Sequence, residues 1–124
     1  MISGITLADG RTAFAPGEEL TGTISWSSSS GERPAWLEVR LFWYTEGKGT
    51  QDIGVATTER FTDPGQHGEK TFRLKAPHHP WSCSGRLVSI RWALELVSSD
   101  DQPVVKVELV IAPGAGEIVL GHVD

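Results

Sequence analysis

The sequence predicts an all-β domain, an antiparallel β-sandwich of about eight strands. Hydrophobic residues recur at every second position in several stretches, most clearly from Val88 to Leu96. Strand side chains point alternately to opposite faces, so this period gives one buried face and one solvated face. Gly, Pro and Asp residues interrupt the stretches at short spacing, and no segment combines a helical period with capping residues. Many short alternating segments separated by turns are typical of a sandwich.

The first two strands are predicted on either side of a tight turn. Ile2–Leu7 is followed by Asp9-Gly10, a pair common in turns. In the segment Ala15-Pro16-Gly17, proline fixes φ and glycine accommodates a positive φ. The next strand, Leu20–Trp26, alternates again, and its inward positions are Leu20, Gly22, Ile24 and Trp26.

The third predicted strand, Trp36–Thr45, carries apolar residues on both faces. Its inward positions are Leu37, Val39, Leu41 and Trp43, whereas the opposite face combines aromatic and charged residues, namely Trp36, Glu38, Arg40, Phe42 and Tyr44. Aromatic residues outside a core require a cover or a partner. The fourth strand, Asp52–Phe61, places Ile53, Val55 and Phe61 on one parity.

Four further strands complete the prediction. Glu69–Ala76 has inward Phe72, Leu74 and Ala76, and Val88–Leu96 is assigned to the centre of the core. Val104–Ala112 separates an apolar row from Lys106 and Glu108, and Glu117–Leu120 is a short last strand. We assign Trp26, Trp43 and Trp92 to the core because they share the inward parity.

Composition narrows the function classes. The 124 residues fit one domain, residues 1–124, and the net charge of −5 argues against a general binder of nucleic acid or anionic membranes. No apolar run approaches the roughly 20 residues that cross a bilayer, so we expect no membrane insertion. Cys83 is the only cysteine and the N-terminal residues do not resemble a signal peptide, so we expect a cytoplasmic protein.

Three segments together resemble the arrestin-like β-sandwich family. Residues 14–24 are similar to the family's aromatic, Pro-Gly-Glu entry into an early strand. Residues 70–77 are similar to its Phe-containing strand that ends in proline, and residues 80–96 to its Pro-x-Ser segment before a long alternating strand. The resemblance implies an immunoglobulin-like, arrestin-like sandwich that serves as an interaction or scaffold module. The family's phosphate-sensing basic cluster is absent, so its receptor functions are not transferred.

Residues that suggest chemistry do not form a recognisable motif. His78 and His79 are adjacent and point in opposite directions on an extended chain, so they do not chelate one ion. Asp100-Asp101 lacks calcium-loop spacing. Cys83 or Ser82 beside His79 is the remaining candidate for a nucleophile, and no catalytic motif surrounds these residues. We therefore expect no enzyme activity, no metal and no cofactor, with an enzyme centred on Cys83 and His79 as a third hypothesis.

The aromatic residues outside the predicted core are the candidate site. The predicted interaction surface contains Trp36, Arg40, Phe42, Tyr44 and Trp81. Protein interfaces are enriched in aromatic residues and arginine. The first hypothesis is therefore a non-catalytic protein-interaction module that forms a homodimer through this surface or an edge strand. The alternative is a carbohydrate-binding module that uses Trp36, Trp81 and Tyr44.

Overall fold

Ten β-strands form two sheets in the computed structural model, which describes residues 2–28, 33–47, 51–85, 88–99, 103–115 and 118–119. Within these ranges the helical segments are two 3-10 turns, Ala8–Gly10 and Pro113–Ala115. The strands are β1 (Ile2–Leu7), β2 (Ala13–Phe14), β3 (Glu19–Ser27), β4 (Trp36–Gly47), β5 (Ile53–Thr62), β6 (His67–Lys75), β7 (Cys83–Ser84), β8 (Val88–Ser98), β9 (Pro103–Ile111) and β10 (Ile118–Val119). No helix in the described ranges is long and apolar enough to span a membrane.

The smaller sheet has three antiparallel strands in the order β1-β3-β6. Ile24 in β3 pairs with Ile5 in β1 and with Lys70 in β6. Thr21, Thr23 and Ser25 alternate with the buried Leu20 and Ile24, as the sequence predicts.

The larger sheet is built around β8, which confirms the central position assigned to residues 88–96. One side of β8 pairs with β4 from Val88 to Ser98, and β4 pairs in turn with β5. On the other side, β7 pairs near the start of β8 and β9 pairs from Trp92 onward. These contacts are antiparallel, but the two-residue strands β2 and β10 pair in parallel with β9 and β7.

The core lies between the inner faces of the two sheets. Trp92, Leu94 and Leu96 of β8 are fully buried, as are Leu37, Val39 and Leu41 of β4 and Phe72 of β6. The core assignment of Trp26 and Trp92 is confirmed, and the half-buried Trp43 packs against the same cluster. Ala93 and Val97, on the opposite face of β8, are also buried. The outward side of β8 is therefore also covered at Ala93 and Val97.

Glycines in the strands make room for aromatic rings across the ladder. A glycine is the cross-strand partner of an inward aromatic residue at three places: Trp26–Gly68, Phe72–Gly22 and Trp43–Gly54. A Cβ atom on Gly22 would lie 2.7 Å from the Phe72 ring and 2.5 Å from the carbonyl oxygen of Thr6. At Gly22 and Gly54 the ring occupies the space that a side chain would fill, and at Gly68 a Cβ atom would make a tight contact of 3.0 Å with the Trp26 ring.

The structure places Ile53 and Val55 on the opposite face from Phe61, although the sequence puts all three on one parity. The register between β4 and β5 shifts at Leu41/Phe42, because Leu41 pairs with Thr57 and Phe42 pairs with Val55. The extra residue between them reverses the alternation of β5. Phe61 therefore packs against the core, while Ile53 and Val55 are exposed on the opposite face.

All eight predicted strands are present, with ends that differ by a few residues. The structure adds the two short strands β2 and β7, each only two residues long. Two predictions extend beyond the described residues. Of the predicted strand Glu117–Leu120 the structure describes Ile118 and Val119, and the Asp100-Asp101 segment lies wholly outside the described ranges.

Candidate functional site

The predicted site lies on the face of the larger sheet that points away from the core. Trp36, Glu38, Arg40, Phe42 and Tyr44 alternate along β4 with its core residues. Their cross-strand neighbours on this face are Thr62, Arg60, Thr58, Val55 and Ile53 in β5, Val97, Glu95, Ala93 and Arg91 in β8, and Lys106 and Glu108 in β9. We call this surface the outer face.

Glu38 is the centre of an ion-pair network on the outer face. Its side chain is nearly buried, and the residue is 7% exposed. Arg40 donates from Nε to Oε1 at 2.6 Å, and Arg60 of β5 donates from Nε to Oε2 at 2.9 Å. Each carboxylate oxygen thus accepts a charge-assisted hydrogen bond, which fixes both guanidinium groups against the sheet.

The pKa of Glu38 is lower than that of an ordinary glutamate. Burial by itself would raise this pKa, but the hydrogen bonds and positive charges of Arg40 and Arg60 outweigh the effect of burial. Glu38 is therefore ionised at neutral pH, and its charge is compensated within the sheet.

The first aromatic residue of the predicted surface, Trp36, is partly covered by a cation. The Arg60 guanidinium carbon lies 3.9 Å from the centroid of the Trp36 ring. This is a close cation–π contact. Arg60 therefore joins Trp36 to Glu38, and one face of the indole is occupied by a side chain of the neighbouring strand.

Phe42 and Tyr44 form a second group nearer the other end of β4. Their ring centroids are 5.9 Å apart. The Lys106 ammonium lies 4.6 Å from the Tyr44 centroid, and the Tyr44 hydroxyl donates to Oε1 of Glu108 at 3.2 Å. Burial raises the pKa of Tyr44; the Lys106 charge opposes this shift and Glu108 reinforces it. The phenol is therefore a hydrogen-bond donor at neutral pH, not a phenolate.

A shallow groove runs across this second group, with a volume of about 490 Å³. Phe42, Tyr44 and Ile53 supply its apolar lining, and Lys106 and Glu108 are among its charged residues. Lys106 covers the Tyr44 ring, and Glu108 accepts a hydrogen bond from the Tyr44 hydroxyl. The groove therefore offers a mixed apolar and charged surface without a deep enclosed cavity.

The exposed apolar area of the outer face is not where the sequence placed it. Phe42 is only 8% exposed, because neighbouring side chains cover it, whereas Ile53 is 70% and Val55 56% exposed. Sequence reasoning missed these two residues, because the extra residue in β5 leaves no mark on the hydrophobic pattern. It also missed Arg60, although the antiparallel hairpin of β4 and β5 would have paired it with Glu38.

Trp81 lies far from Trp36, the first residue of the predicted surface. It is 42% exposed, and its indole nitrogen donates to the carbonyl oxygen of His78 at 2.6 Å. Cys83, two residues after Trp81, pairs with Ile90 of β8. Leu37, the residue after Trp36, pairs with Ser98 of β8. These pairings are eight residues apart, roughly 26 Å along the strand. Trp36 and Trp81 therefore do not form one continuous platform.

The residues considered for catalysis or metal binding have structural contacts. Cys83 is a buried free thiol. Ser82 is buried, and its hydroxyl oxygen accepts a hydrogen bond from the Ile111 amide at 2.9 Å. His78 lies against Gly17, since a Cβ atom there would be 3.0 Å from the imidazole. No group of three potential metal-ligating side chains occurs among the residues that the structure describes.

The Pro-Gly-Glu turn that contributes to the family resemblance is a local folding device. Arg11 donates from Nη1 and Nη2 to the two carboxylate oxygens of Glu18, at 2.6 and 2.9 Å, and the Ala15 amide donates to the same carboxylate at 2.9 Å. These bonds lower the pKa of Glu18 to about 2, with the Arg11 hydrogen bond as the largest cause. Gly17 has a φ of +81° and its amide donates to the Ala76 carbonyl, which ties the turn to the end of β6.

Comparison with known proteins supports the fold alone. No protein-family model matches the sequence, and no curated protein does so. Among solved structures, the sporulation control protein Spo0M from Bacillus subtilis superposes with a TM-score of 0.60 at 16% sequence identity, covering 89% of this chain and 48% of Spo0M. This chain thus spans about half the length of Spo0M.

A second solved structure matches less well. The Pseudomonas fluorescens alkylpurine DNA glycosylase AlkC, bound to DNA that contains an abasic site analog, gives a TM-score of 0.36 at 11% identity, covering 89% of this chain and 30% of AlkC. That score is too low to support a structural argument.

Spo0M has the arrestin-like fold, and the chain shares it at the level of strand arrangement. The chain therefore has an arrestin-like β-sandwich fold, as the motifs in its sequence predict.

Proposed function

We propose that this protein is a non-catalytic interaction module that binds other proteins, including its own copies, through the outer face. The observation that carries the proposal is the fixed arrangement of arginine, carboxylate and aromatic side chains around Glu38, which lies on a sheet and not in a reactive cavity. Aromatic residues and arginine are the residue types enriched at protein interfaces.

The network prepares this surface for binding. Immobilising a flexible side chain at an interface costs about 0.5–1.5 kcal/mol. Arg40 and Arg60 are already held by Glu38, and Lys106 is already held over Tyr44. Much of the ordering cost for these long side chains is therefore met on folding, which favours a surface used in recognition.

The carbohydrate-binding alternative receives less support from the same contacts. Sugar platforms use open aromatic faces, but Arg60 covers one face of Trp36 and Lys106 covers one face of Tyr44. Trp81 is not continuous with Trp36. For location, we retain the cytoplasm as the proposed compartment, because a buried free thiol such as Cys83 suits a reducing environment.

The proposal is tested by a dilution series. Backbone amide NMR spectra are recorded from about 500 µM down to about 5 µM, a range that spans weak protein association. We expect concentration-dependent shifts in β4, β5, β8 and β9 and none in β1 and β3, which serve as internal controls. A monomer by sedimentation at the highest concentration, with no shifts anywhere, would refute self-association. Shifts confined to the smaller sheet would refute the choice of face.

A further inference from the structure

Building on the proposed function, we infer that a second copy of this chain docks at one corner of the outer face, centred on Ile53 and Val55. We call this region the β5 corner, and it also includes Phe42 and Tyr44, the cross-strand partners of Val55 and Ile53. The contact is a two-fold homodimer in which the same corner of each copy participates.

The β5 corner has the apolar area that the rest of the outer face lacks. Ile53 and Val55 are both more than half exposed, and with Trp81 they are the large exposed hydrophobic residues in the described part of the chain. They are adjacent positions on one face of β5 and lie beside two aromatic rings. A contiguous apolar group of this kind is characteristic of an interaction site, whereas scattered single residues are not.

The protein's own fold leaves this end of β5 open. Farther along the strand, Glu59 accepts a hydrogen bond from the Arg73 amide of β6 at 2.8 Å and so closes the gap between the sheets. From Ile53 to Thr58 no residue is charged and none is proline. Charged residues and proline usually protect an edge strand against pairing with another chain. In this segment only the bulge near Ala56 gives such protection.

Charge favours a second copy as the occupant. The outer face carries four acidic and four basic side chains among the described residues: Glu38, Glu46, Glu95, Glu108, Arg40, Arg60, Arg91 and Lys106. The whole chain has a net charge of −5, so its negative charge is located elsewhere. Two copies that meet through the outer face therefore avoid repulsion, and a two-fold contact brings opposite charges within reach.

The size of the face sets the expected strength. Four strands at about 4.8 Å spacing and about 20 Å of strand length give a footprint on the order of 400 Å² per copy. Stable dimers bury about 800 Å² per partner, and smaller contacts are typical of transient association. We expect a reversible dimer that dissociates in the micromolar range or above.

The test compares two lysine substitutions at exposed strand positions. Val55→Lys introduces a charge at the β5 corner, and Thr71→Lys introduces the same charge on the outside of the smaller sheet. Sedimentation velocity is run at about 5 to 500 µM, with thermal melting to verify folding. We expect Val55→Lys to weaken dimerisation at least about tenfold and Thr71→Lys to leave it unchanged, with melting temperatures close to that of the unmodified chain.

The outcomes separate this inference from the proposed function. If the unmodified protein dimerises and Val55→Lys dimerises equally well, the β5 corner is not the contact, although self-association stands. If Thr71→Lys abolishes the dimer instead, the smaller sheet is the interface. If the unmodified protein is a monomer throughout, both the inference and the proposed self-association fail.

Discussion

Replacement of Gly22 by alanine tests the packing of the smaller sheet at its tightest point. Gly22 lies in β3 between Leu7 of β1 and Phe72 of β6. The added Cβ atom would lie 2.5 Å from the carbonyl oxygen of Thr6 and 2.7–2.8 Å from two carbons of the Phe72 ring. Neither obstacle moves easily, because one is backbone and the other is a fully buried ring.

The expected cost follows from two opposing effects. Overfilling a packed interior costs about 1–3 kcal/mol, and contact with immobile backbone argues for the upper part of that range. Replacing glycine by alanine also lowers the conformational entropy of the unfolded chain, which stabilises the folded state by about 0.4–1 kcal/mol. The net loss is about 2 kcal/mol in the free energy of unfolding. For a chain of this length, that loss lowers the melting temperature by about 6–10 °C.

Gly4→Ala is the matched control. Gly4 is also in a strand of the smaller sheet, but its added Cβ atom would meet only the Ser25 hydroxyl at 3.5 Å, an ordinary contact. Thermal and urea denaturation of both variants gives the two free energies. We expect Gly4→Ala to be neutral or slightly stabilising. Equal stability of the two variants would show that the close approach at Gly22 does not govern packing.

Two further predictions concern carboxylates. For Glu38→Gln we expect a loss of about 1–2 kcal/mol in urea denaturation, because two charge-assisted hydrogen bonds weaken while Arg40 and Arg60 remain partly hydrated; an unchanged midpoint would contradict the central role of the network. The lowered pKa of Glu18, about 2, means that its ion pair stabilises the fold above the ordinary glutamate value of 4.5 and is lost as pH falls from there toward 2. Glu18→Gln should therefore be less stable than the unmodified chain at pH 7, and the difference in melting temperature should shrink over that interval; a constant difference would exclude this linkage.

The alternation of hydrophobic residues along the chain was sufficient to predict the β-sandwich fold. In β3, in β6 and in β8 up to Leu96, apolar and polar positions alternate, so the alternation identifies both the strand and its inward face. β2 and β7 are too short to show any period, because two residues fit every pattern. They are defined by partners far along the chain, such as Ile111 for Phe14.

The candidate site was predicted less completely than the fold. The sequence identified Trp36, Arg40, Phe42 and Tyr44 as one row, since they alternate along a single strand. The partners that cover them come from other strands, and single-strand periodicity contains no information about cross-strand register. The position of Trp81 depends in the same way on how its loop returns to β8.

Ala56 controls the orientation of the start of β5, because it is the unpaired residue between Thr57 and Val55. If Ala56 instead lay opposite Phe42 in a regular ladder, Ile53 and Val55 would turn inward and Gly54 would turn outward. Trp43 would then face a branched side chain in the space that glycine now leaves empty. The bulge at Ala56 thus keeps Gly54 opposite Trp43 and leaves Ile53 and Val55 exposed, so the packing of the interior and the apolar area outside depend on the same unpaired residue.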